Sequence, residues 1–190
     1  MPEDVHFEEI AISICKSKSF AKPSFLGAGA FKEAYSTVTS GGFAVALKVF
    51  DPNKCNLFRA EREIEAMRKC DCPFIAKIYD WGKFNNNNNG LYLYVVEEYL
   101  SGGTLTDRLA SVRHDVICFC NYGSALLNAV SHIRDKSLVH RDIKPDNIIF
   151  RSDVDVPILV DFGLVRDLKS VTSHRLISAA GSLYSSLRVS

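Results

Sequence analysis

The stretch that decides the fold is HRDIKPDN, residues 140–147, followed by DFG at residues 161–163, 19 residues after Asp142. The tetrapeptide PILV at residues 157–160 leads into the second motif and has the composition of a short buried strand. A solvated turn with an incidental cluster of charges would explain either motif alone. Two charged motifs 19 residues apart, with a predicted strand leading into the second, favour a functional site over a solvated turn.

The sequence upstream of these motifs predicts strands first and then a helix. Residues 25–50 are rich in β-forming residues and are interrupted by a glycine turn and by Gly41-Gly42, so they predict three antiparallel strands. Apolar residues then recur at helical spacing and predict an amphipathic helix over residues 57–70. The residues of this stripe are Leu57, Ala60, Ile64 and Met67.

Residues 74–81 and 91–99 predict two further strands, joined by a hairpin insertion that contains the asparagine run 85–89. After the break at residues 101–103, residues 104–139 carry helical patterns, with Leu126, Val130 and Ile133 along one stripe. This switch from strands to helices predicts an α+β fold with two lobes. We divide the chain into a lead-in (1–24), a small lobe (25–97), a hinge (98–103) and a partial large lobe with a divergent tail (104–190).

Composition excludes several classes of partner. Among 190 residues, 47% are hydrophobic and 24% are charged, and the net charge is +1 without a basic block, so we expect no nucleic-acid partner. The apolar run at residues 91–96 is far shorter than the ~20 residues of a membrane span, so we expect no membrane segment. The acidic start of the chain lacks a secretory leader pattern, which predicts a cytoplasmic protein with reduced cysteines. The Cys-x-Cys pairs at 70–72 and 118–120 depart from the usual spacing of zinc ligands.

The motifs at 140–147 and 161–163 resemble the catalytic loop and the metal-binding loop of the eukaryotic-type protein kinase family, serine/threonine type. The resemblance implies a two-lobe fold that binds ATP and Mg²⁺ and transfers the γ-phosphate to a Ser or Thr hydroxyl of a protein substrate. It implies that Asp142 orients the attacking hydroxyl and that Lys144 steadies the γ-phosphate. It also implies that Asn147 and Asp161 are the Mg²⁺ ligands.

The small lobe carries the family's phosphate-binding features with two departures. Gly27 and Gly29 match the glycine-rich loop, but Lys32 stands where the family has its third glycine and Ala34 where it has the following valine. Lys48 in VALK matches the lysine that contacts the phosphates. Glu63 is our assignment for the helix glutamate that orients this lysine, with Glu61 and Glu65 as the competing assignments.

Residues 96–105 resemble the hinge to which adenine binds. Alignment on Gly102-Gly103 places the hinge carbonyl at Glu98 and the hinge N–H at Leu100, and it predicts apolar adenine contacts from Ala46, Leu105 and Ile149. The same alignment places Glu97 at the gatekeeper position, which is normally apolar or a small hydroxyl. A carboxylate there is costly unless it is paired or hydrated. Either the alignment slips by one residue, or the back of the pocket is unusual.

The resemblance covers about residues 25–167, and only 29 residues follow Asp161. We therefore expect a kinase fold that is incomplete after the activation segment. Three explanations stay open: an early-terminated kinase, a rebuilt compact large lobe, or a protein partner that covers the incomplete lobe. Two alternatives to a protein kinase are a non-catalytic ATP-binding regulatory or scaffold module and a small-molecule phosphotransferase. An activating phosphorylation would fall on one of five candidate hydroxyl residues: Ser170, Thr172, Ser173, Ser178 and Ser182.

Overall fold

The computed structural model describes residues 7–86, 90–112, 114–152, 155–161 and 166–167, with the backbone alone at positions 59, 63, 66, 166 and 167. In chain order the elements of the first half are α1 (Phe7–Ser17), β1 (Ser24–Ala28), β2 (Lys32–Val38), β3 (Ala44–Phe50), α2 (Leu57–Arg68), β4 (Ile78–Asn86) and β5 (Gly90–Glu98). The second half contains α3 (Leu105–Val112), α4 (Val116–Asp135), β6 (Leu138–Val139), a 3₁₀ turn (Pro145–Asn147), β7 (Ile148–Phe150), β8 (Pro157–Leu159) and β9 (Arg166–Asp167).

The first five strands form one antiparallel sheet in the order β1-β2-β3-β5-β4, which confirms the predicted five-stranded small lobe. Strand β3 lies at the centre and is buried from Val45 to Phe50. Its pairing with β5 runs from Val45 opposite Glu98 to Phe50 opposite Leu93. Because successive side chains alternate between the faces of a strand, this register decides which residues share each face of the sheet.

The two faces of the sheet are covered by different helices. One face packs against α1 and contains Val45, Leu47 and Val49 of β3 with Tyr92 and Val96 of β5. The other face packs against α2 and contains Phe50 of β3 with Leu93 and Val95 of β5. Period-2 alternation therefore puts the side chains of Lys48 and Glu97 on the face that α2 covers.

The lead-in contributes to the core of the small lobe, which we did not expect. Helix α1 buries Ile10, Ala11, Ile14 and Cys15 against the sheet, and Phe7 packs beside them. These positions recur at i, i+3, i+4 and i+7, the pattern of an amphipathic helix. Residues 7–17 thus stabilise the sheet from the side opposite to α2.

The fourth strand begins later than predicted. Residues 73 and 74 form a turn, residues 76 and 77 have no regular secondary structure, and β4 begins at Ile78. Ile75 forms a parallel bridge with Leu159, and the N–H of Ala76 donates to the carbonyl of Leu159 at 3.0 Å, so this segment packs on the large lobe. At the other end of the hairpin, the strands extend further than predicted, with Asn86 paired to Gly90.

The described part of the large lobe is built on α4 and two small sheets. Its core contains Ala129 and Ile133 of α4 with Leu138, Ile148 and Leu159. The buried positions of α4 are Tyr122, Ala125, Ala129 and Ile133, which lie four or three residues apart on one face. The predicted stripe was wrong at Val130, which is 39% exposed.

Helix α4 is also the one described helix that is long and apolar enough to cross a membrane by length and composition alone. Core helices of folded domains pass the same test. Asp115 caps its N-terminus through hydrogen bonds of 3.0 Å from the N–H groups of Ile117 and Cys118. One face of α4 is buried in the large-lobe core, and we therefore interpret α4 as a packing helix.

Candidate active site

The catalytic loop holds Asp142 by contacts within its own turn. The amide Nδ2 of Asn147 donates to both the carboxylate and the backbone carbonyl of Asp142, at 2.8 Å each. The Lys144 ammonium lies 3.0 Å from the same carboxylate. Burial raises the pKa of Asp142, but hydrogen bonds from Lys144 and Asn147 outweigh burial and leave the pKa below its ordinary value. Asp142 is therefore an oriented, ionised carboxylate.

Histidine 140 joins the catalytic loop to the strand that leads into the metal loop. Its Nδ1 accepts from the N–H of Asp142 at 3.3 Å, and its Nε2 lies 3.1 Å from the carbonyl oxygen of Val160. These partners require a proton on Nε2 and a lone pair on Nδ1, the neutral tautomer that donates to Val160. Burial lowers the pKa of His140, which agrees with a neutral ring.

The two predicted Mg²⁺ ligands are brought together by the backbone. The N–H of Val160, next to Asp161, donates to the carbonyl of Asn147 at 2.9 Å. Asp161 has a φ of 68°, a left-handed conformation that is uncommon for a residue other than glycine. An amide oxygen and a carboxylate oxygen are the hard donors that Mg²⁺ prefers, so this pair fits the ion that the resemblance implies.

Lysine 48 forms an ion pair with Glu97, the residue at the gatekeeper position. The side chains are 11% and 7% exposed, so the pair is almost entirely buried. Glu97 lies opposite Ala46 in the β3–β5 ladder, and Lys48 is two residues further along β3 on the same face. The unusual carboxylate is therefore paired, as its burial requires.

Lysine 32 reaches from the glycine-rich loop to the metal loop and forms an ion pair with Asp161. Its ammonium also lies 5.4 Å from the centre of the Phe50 ring. Burial, followed by repulsion from Lys48, lowers the pKa of Lys32 to about 7. The residue that replaces the family's third glycine thus contacts the carboxylate that we expect to bind Mg²⁺.

The glycine-rich loop is the tight connection between β1 and β2. The N–H of Gly29 donates to the carbonyl of Lys32 at 2.8 Å and closes the turn. A Cβ at Gly27 would have nothing within 4 Å, and one at Gly29 would meet only the carbonyl of Lys32 at 3.6 Å. Open space beside both glycines leaves room for a phosphate chain to approach the backbone.

The hinge is tied to the large lobe by a bidentate ion pair. Arg151 donates from Nε to Oε1 of Glu98 at 2.6 Å and from a terminal nitrogen to Oε2 at 3.1 Å. The N–H of Gly102 donates to the carbonyl of Phe150 at 2.8 Å, and a Cβ on Gly102 would lie 2.6 Å from that oxygen. The hinge therefore needs glycine at position 102 to approach β7 so closely.

The predicted adenine contacts fall into two groups. Ala46 is buried beside the Lys48–Glu97 pair, while Leu100 and Ile149 pack together around Ala76, Ile158 and Val160. Strand β5 ends at Glu98, so the main chain of Leu100 lies beyond the ladder, as expected for a hinge. Leu105 is partly buried against two large-lobe clusters, which contain Ile148 and Phe150, and its adenine contact stays a prediction.

Several predicted residues fall outside the described part of the chain. Glu63 lies on α2, but its side chain is not described, and the role assigned to it stays a prediction. Phe162 and Gly163 of the metal loop lie outside the described residues, as do the five hydroxyl residues between 170 and 182. Arg141, which precedes Asp142, is described and has a φ of 69°.

The cysteine pairs form no disulfide. In the ranges that the structure describes, no three His, Cys, Asp or Glu side chains converge as metal ligands would.

Three contacts at this site were missed from the sequence, and the first is the ion pair of Lys32 with Asp161. The pairing of Lys48 with Glu97 depends on the register of β3 against β5, and only the unexpected carboxylate hinted at it. The clamp between Arg151 and Glu98 joins residues 53 positions apart, and no local pattern marks such a distant pair.

Known proteins are similar to this chain over most of its length. The family model described as the protein kinase domain matches residues 20–185, which extends further in both directions than the resemblance that we drew over 25–167. The chain is 32% identical over 168 residues to Calcium-dependent protein kinase 5 of Plasmodium berghei, covering 84% of this chain and 28% of that protein. It is 32% identical over 157 residues to the Serine/threonine-protein kinase AtPK2/AtPK19 of Arabidopsis thaliana, covering 77% of this chain and 31% of that protein.

A bacterial protein kinase is also similar to this chain, over a shorter stretch of sequence. The Serine/threonine-protein kinase D of a Synechocystis strain is 35% identical over 115 residues, covering 60% of this chain and 20% of that protein. The chain thus spans less than a third of the length of each of these three relatives. With the five-stranded small lobe, the hinge and the catalytic loop in place, the family match shows that this chain belongs to the protein kinase domain family.

Proposed function

We propose that this chain binds Mg·ATP between its lobes and transfers the γ-phosphate to a serine or threonine hydroxyl of a protein substrate. The observation that carries the proposal is the arrangement around Asp142. Its carboxylate is ionised, is oriented by Asn147, and is joined through Asn147 and Val160 to the metal loop. Phosphoryl transfer mainly requires that the attacking hydroxyl and the γ-phosphate be aligned. Backbone and side-chain hydrogen bonds that hold the base and the metal-binding carboxylate together meet this requirement.

The catalytic loop supplies two charges in this proposal. Asp142 accepts a hydrogen bond from the attacking hydroxyl and takes its proton as the oxygen attacks the γ-phosphorus. The bond from that phosphorus to the β,γ-bridging oxygen breaks in the same transfer, and ADP leaves with its electron pair. Lys144, half exposed beside Asp142, turns its ammonium toward the γ-phosphate and offsets the negative charge that moves during transfer. The hydrogen bonds from Asn147 keep the carboxylate directed at the hydroxyl throughout.

The small lobe and the metal loop hold the nucleotide. Lys48 projects from β3 on the face that α2 covers and contacts the phosphates. Asp161 and Asn147 would hold Mg²⁺, which neutralises phosphate charge when it is bound. To receive the ion, the Asp161 carboxylate must exchange its contact with Lys32 for the metal.

A Ser or Thr acceptor is supported by two independent observations. Lys144 lies two residues after Asp142, the pattern of the serine/threonine type. The printed names of two relatives describe them as serine/threonine-protein kinases. A cytoplasmic location is part of the same proposal, and six cysteines that form no disulfide are compatible with a reducing compartment.

The test is product analysis after incubation with Mg²⁺ and ATP labelled in the γ-phosphate. We expect label in the chain itself or in a generic basic Ser/Thr peptide, recovered as phosphoserine or phosphothreonine after hydrolysis. Label recovered only in small metabolites would favour a small-molecule phosphotransferase instead. Label in phosphotyrosine alone would contradict the Ser/Thr assignment.

The ion pair between Lys32 and Asp161 favours a second candidate, a module that binds ATP without transferring phosphate. A cation of the protein itself occupies the carboxylate that the reaction needs for Mg²⁺. If Mg²⁺ does not displace Lys32, nucleotide binds but is not turned over. Saturable ATP binding that is independent of Mg²⁺, with no labelled product, would support this candidate over the kinase.

A further inference from the structure

The Lys48–Glu97 pair is a feature that the proposed function leaves unexplained. Both side chains are nearly buried, and both lie on the sheet face that packs against α2. Taking a carboxylate or an ammonium out of water costs several kcal/mol per ion. Since neither charge would be stable here alone, the presence of Glu97 at the back of the pocket and the burial of Lys48 depend on each other.

The sheet fixes the geometry of this pair. Six consecutive ladder pairs, from Val45 opposite Glu98 to Phe50 opposite Leu93, set the register of β3 against β5. In this register Glu97 is directly opposite Ala46 and diagonal to Lys48, a spacing that long side chains bridge across antiparallel strands. The position of the carboxylate relative to the lysine is therefore set by backbone hydrogen bonds within one sheet.

A second lysine lies on the same face of the sheet. Lys32 is opposite Phe50 in the β2–β3 ladder, and Lys48 is two residues before Phe50 on β3. Lys32 is paired with Asp161, whereas Lys48 is paired with Glu97. Without the Glu97 carboxylate, Lys48 would be buried without its opposite charge, and the loss of hydration would drive its side chain toward solvent.

We propose that Glu97 is the positioning residue for Lys48, so that the carboxylate that directs the phosphate-binding lysine comes from strand β5 of the same sheet. The inference rests on the proposed function, because it concerns the lysine that contacts ATP. It transfers to Glu97 the role that the resemblance suggests for Glu63. Its consequence is that Lys48 stays directed by the sheet register, whatever the placement of helix α2.

The experiment compares the affinities for ATP and for adenosine. Adenosine occupies the same pocket but has no phosphates, so it reports on the pocket and not on Lys48. Binding of both ligands is measured for the wild-type chain, Glu97→Met, Glu97→Gln, Lys48→Met and the double variant Glu97→Met/Lys48→Met. Glu97→Gln keeps the shape and an acceptor oxygen, whereas Glu97→Met keeps only the volume.

We expect Glu97→Met to weaken ATP binding at least about fivefold more than it changes adenosine binding, because a misdirected ammonium costs part of a charge-assisted contact that only ATP makes. Glu97→Gln should fall between Glu97→Met and the wild type. In the Lys48→Met background, Glu97→Met should have no further effect on ATP binding, since a residue that acts through Lys48 has nothing left to position. Phosphate transfer, where it is measured, should fall in the same order.

Three results would overturn the proposal. One is unchanged or tighter ATP binding by Glu97→Met, since tighter binding would mean that Glu97 withholds Lys48 from the phosphates. Another is an equal loss of ATP and adenosine affinity, which indicates a damaged pocket. The third is an equal effect of Glu97→Met in both Lys48 backgrounds.

The matched control is Asp80→Asn. Asp80 of β4 also pairs with a lysine of the small lobe, Lys18, but its side chain is 48% exposed and the pair lies outside the cleft residues described above. Its loss should change neither affinity. A wild-type chain that binds ATP without transferring phosphate would refute the proposed reaction and leave the binding comparison intact, so the two failures are distinguishable.

Discussion

The catalytic loop and the small-lobe wall of the cleft hold their charges in different ways. In the loop at residues 140–147 every motif residue is present, and Asp142 is held by near neighbours in the chain, Lys144 and Asn147. In the small lobe two charged residues depart from the family pattern, Lys32 and Glu97, and each is paired with a distant residue of the site. Unusual charges are tolerated at this cleft because each has an opposite charge as its partner.

The two regions also differ in how far their charged side chains are exposed to solvent. Lys144 is about half exposed, so its attraction to Asp142 is screened by solvent and is worth little to folding. Lys48 and Glu97 are nearly buried, so removal of either partner leaves an uncompensated charge. Mutations in the loop should therefore affect chemistry, whereas mutations in the small-lobe pair should affect stability as well.

The largest effect is expected for Asp161→Asn. The amide keeps the shape of the side chain but loses the charge that attracts Mg²⁺, so phosphate transfer should fall by at least about 10³-fold. Adenosine binding, which needs no metal, should be unchanged. Transfer that survives this substitution would show that the metal ligand lies elsewhere.

The next effect is on stability. Lys48→Met should lower the free energy of unfolding by about 3–5 kcal/mol, because Glu97 is left buried without a partner. Lys48→Met/Glu97→Met removes both charges and should recover most of that loss, as measured by urea unfolding. If the double variant is no more stable than Lys48→Met, the two charges are not coupled in the folded protein.

A smaller effect is expected for Lys32→Gly, which restores the glycine of the family pattern. Removal of the ammonium frees the Asp161 carboxylate, so the Mg²⁺ concentration needed for half-maximal ATP binding should fall by a factor of several. Lys32→Arg keeps the cation and serves as the control. An unchanged Mg²⁺ requirement, or weaker ATP binding, would mean that Lys32 does not compete with the metal.

The smallest effect concerns pH and His140. Burial lowers the pKa of His140 in the folded chain, while unfolding returns it to about 6.5. The unfolded state therefore binds more protons below that pH, and His140 contributes stability above about pH 6.5 that is lost as the pH falls toward the folded pKa. Asp142 raises this pKa, and Lys32 and Lys48 lower it.

The check is the pH dependence of unfolding for the wild type and for His140→Asn, which removes the titrating ring. The difference in unfolding free energy between the two should shrink as the pH falls from 7 to 5. A difference that is constant over this range would show that His140 has the same pKa in both states.

The sequence was sufficient for the fold class and for locating the loop at residues 140–147, because both depend on local patterns. Turn-bounded β-forming runs predicted the sheet, and the stripe Ala60, Ile64 and Met67 predicted the buried face of α2. Helix α1 had an equally regular pattern that we did not recognise. The error at Val130 arose because three-residue and four-residue spacings both fit a helix, and tertiary packing selects the face.

The partners of Lys32, Glu97 and Glu98 could not be predicted, for a different reason. Each pairs with a residue at least 49 positions away, and strand register or lobe packing brings the two together. The sequence identified Lys32 and Glu97 as departures from the family pattern. Only the structure shows that each departure is matched by an opposite charge.

The central claim is that this cleft is a working kinase site in which Asp142 is the base. The direct test is a single-turnover measurement of γ-phosphate transfer from saturating Mg·ATP, with the wild type and Asp142→Asn compared at equal nucleotide occupancy. We predict transfer by the wild type and a loss of about 10²–10⁴-fold in the variant, with ATP affinity unchanged. Equal transfer by both proteins, or bound ATP that neither protein turns over, would contradict the claim.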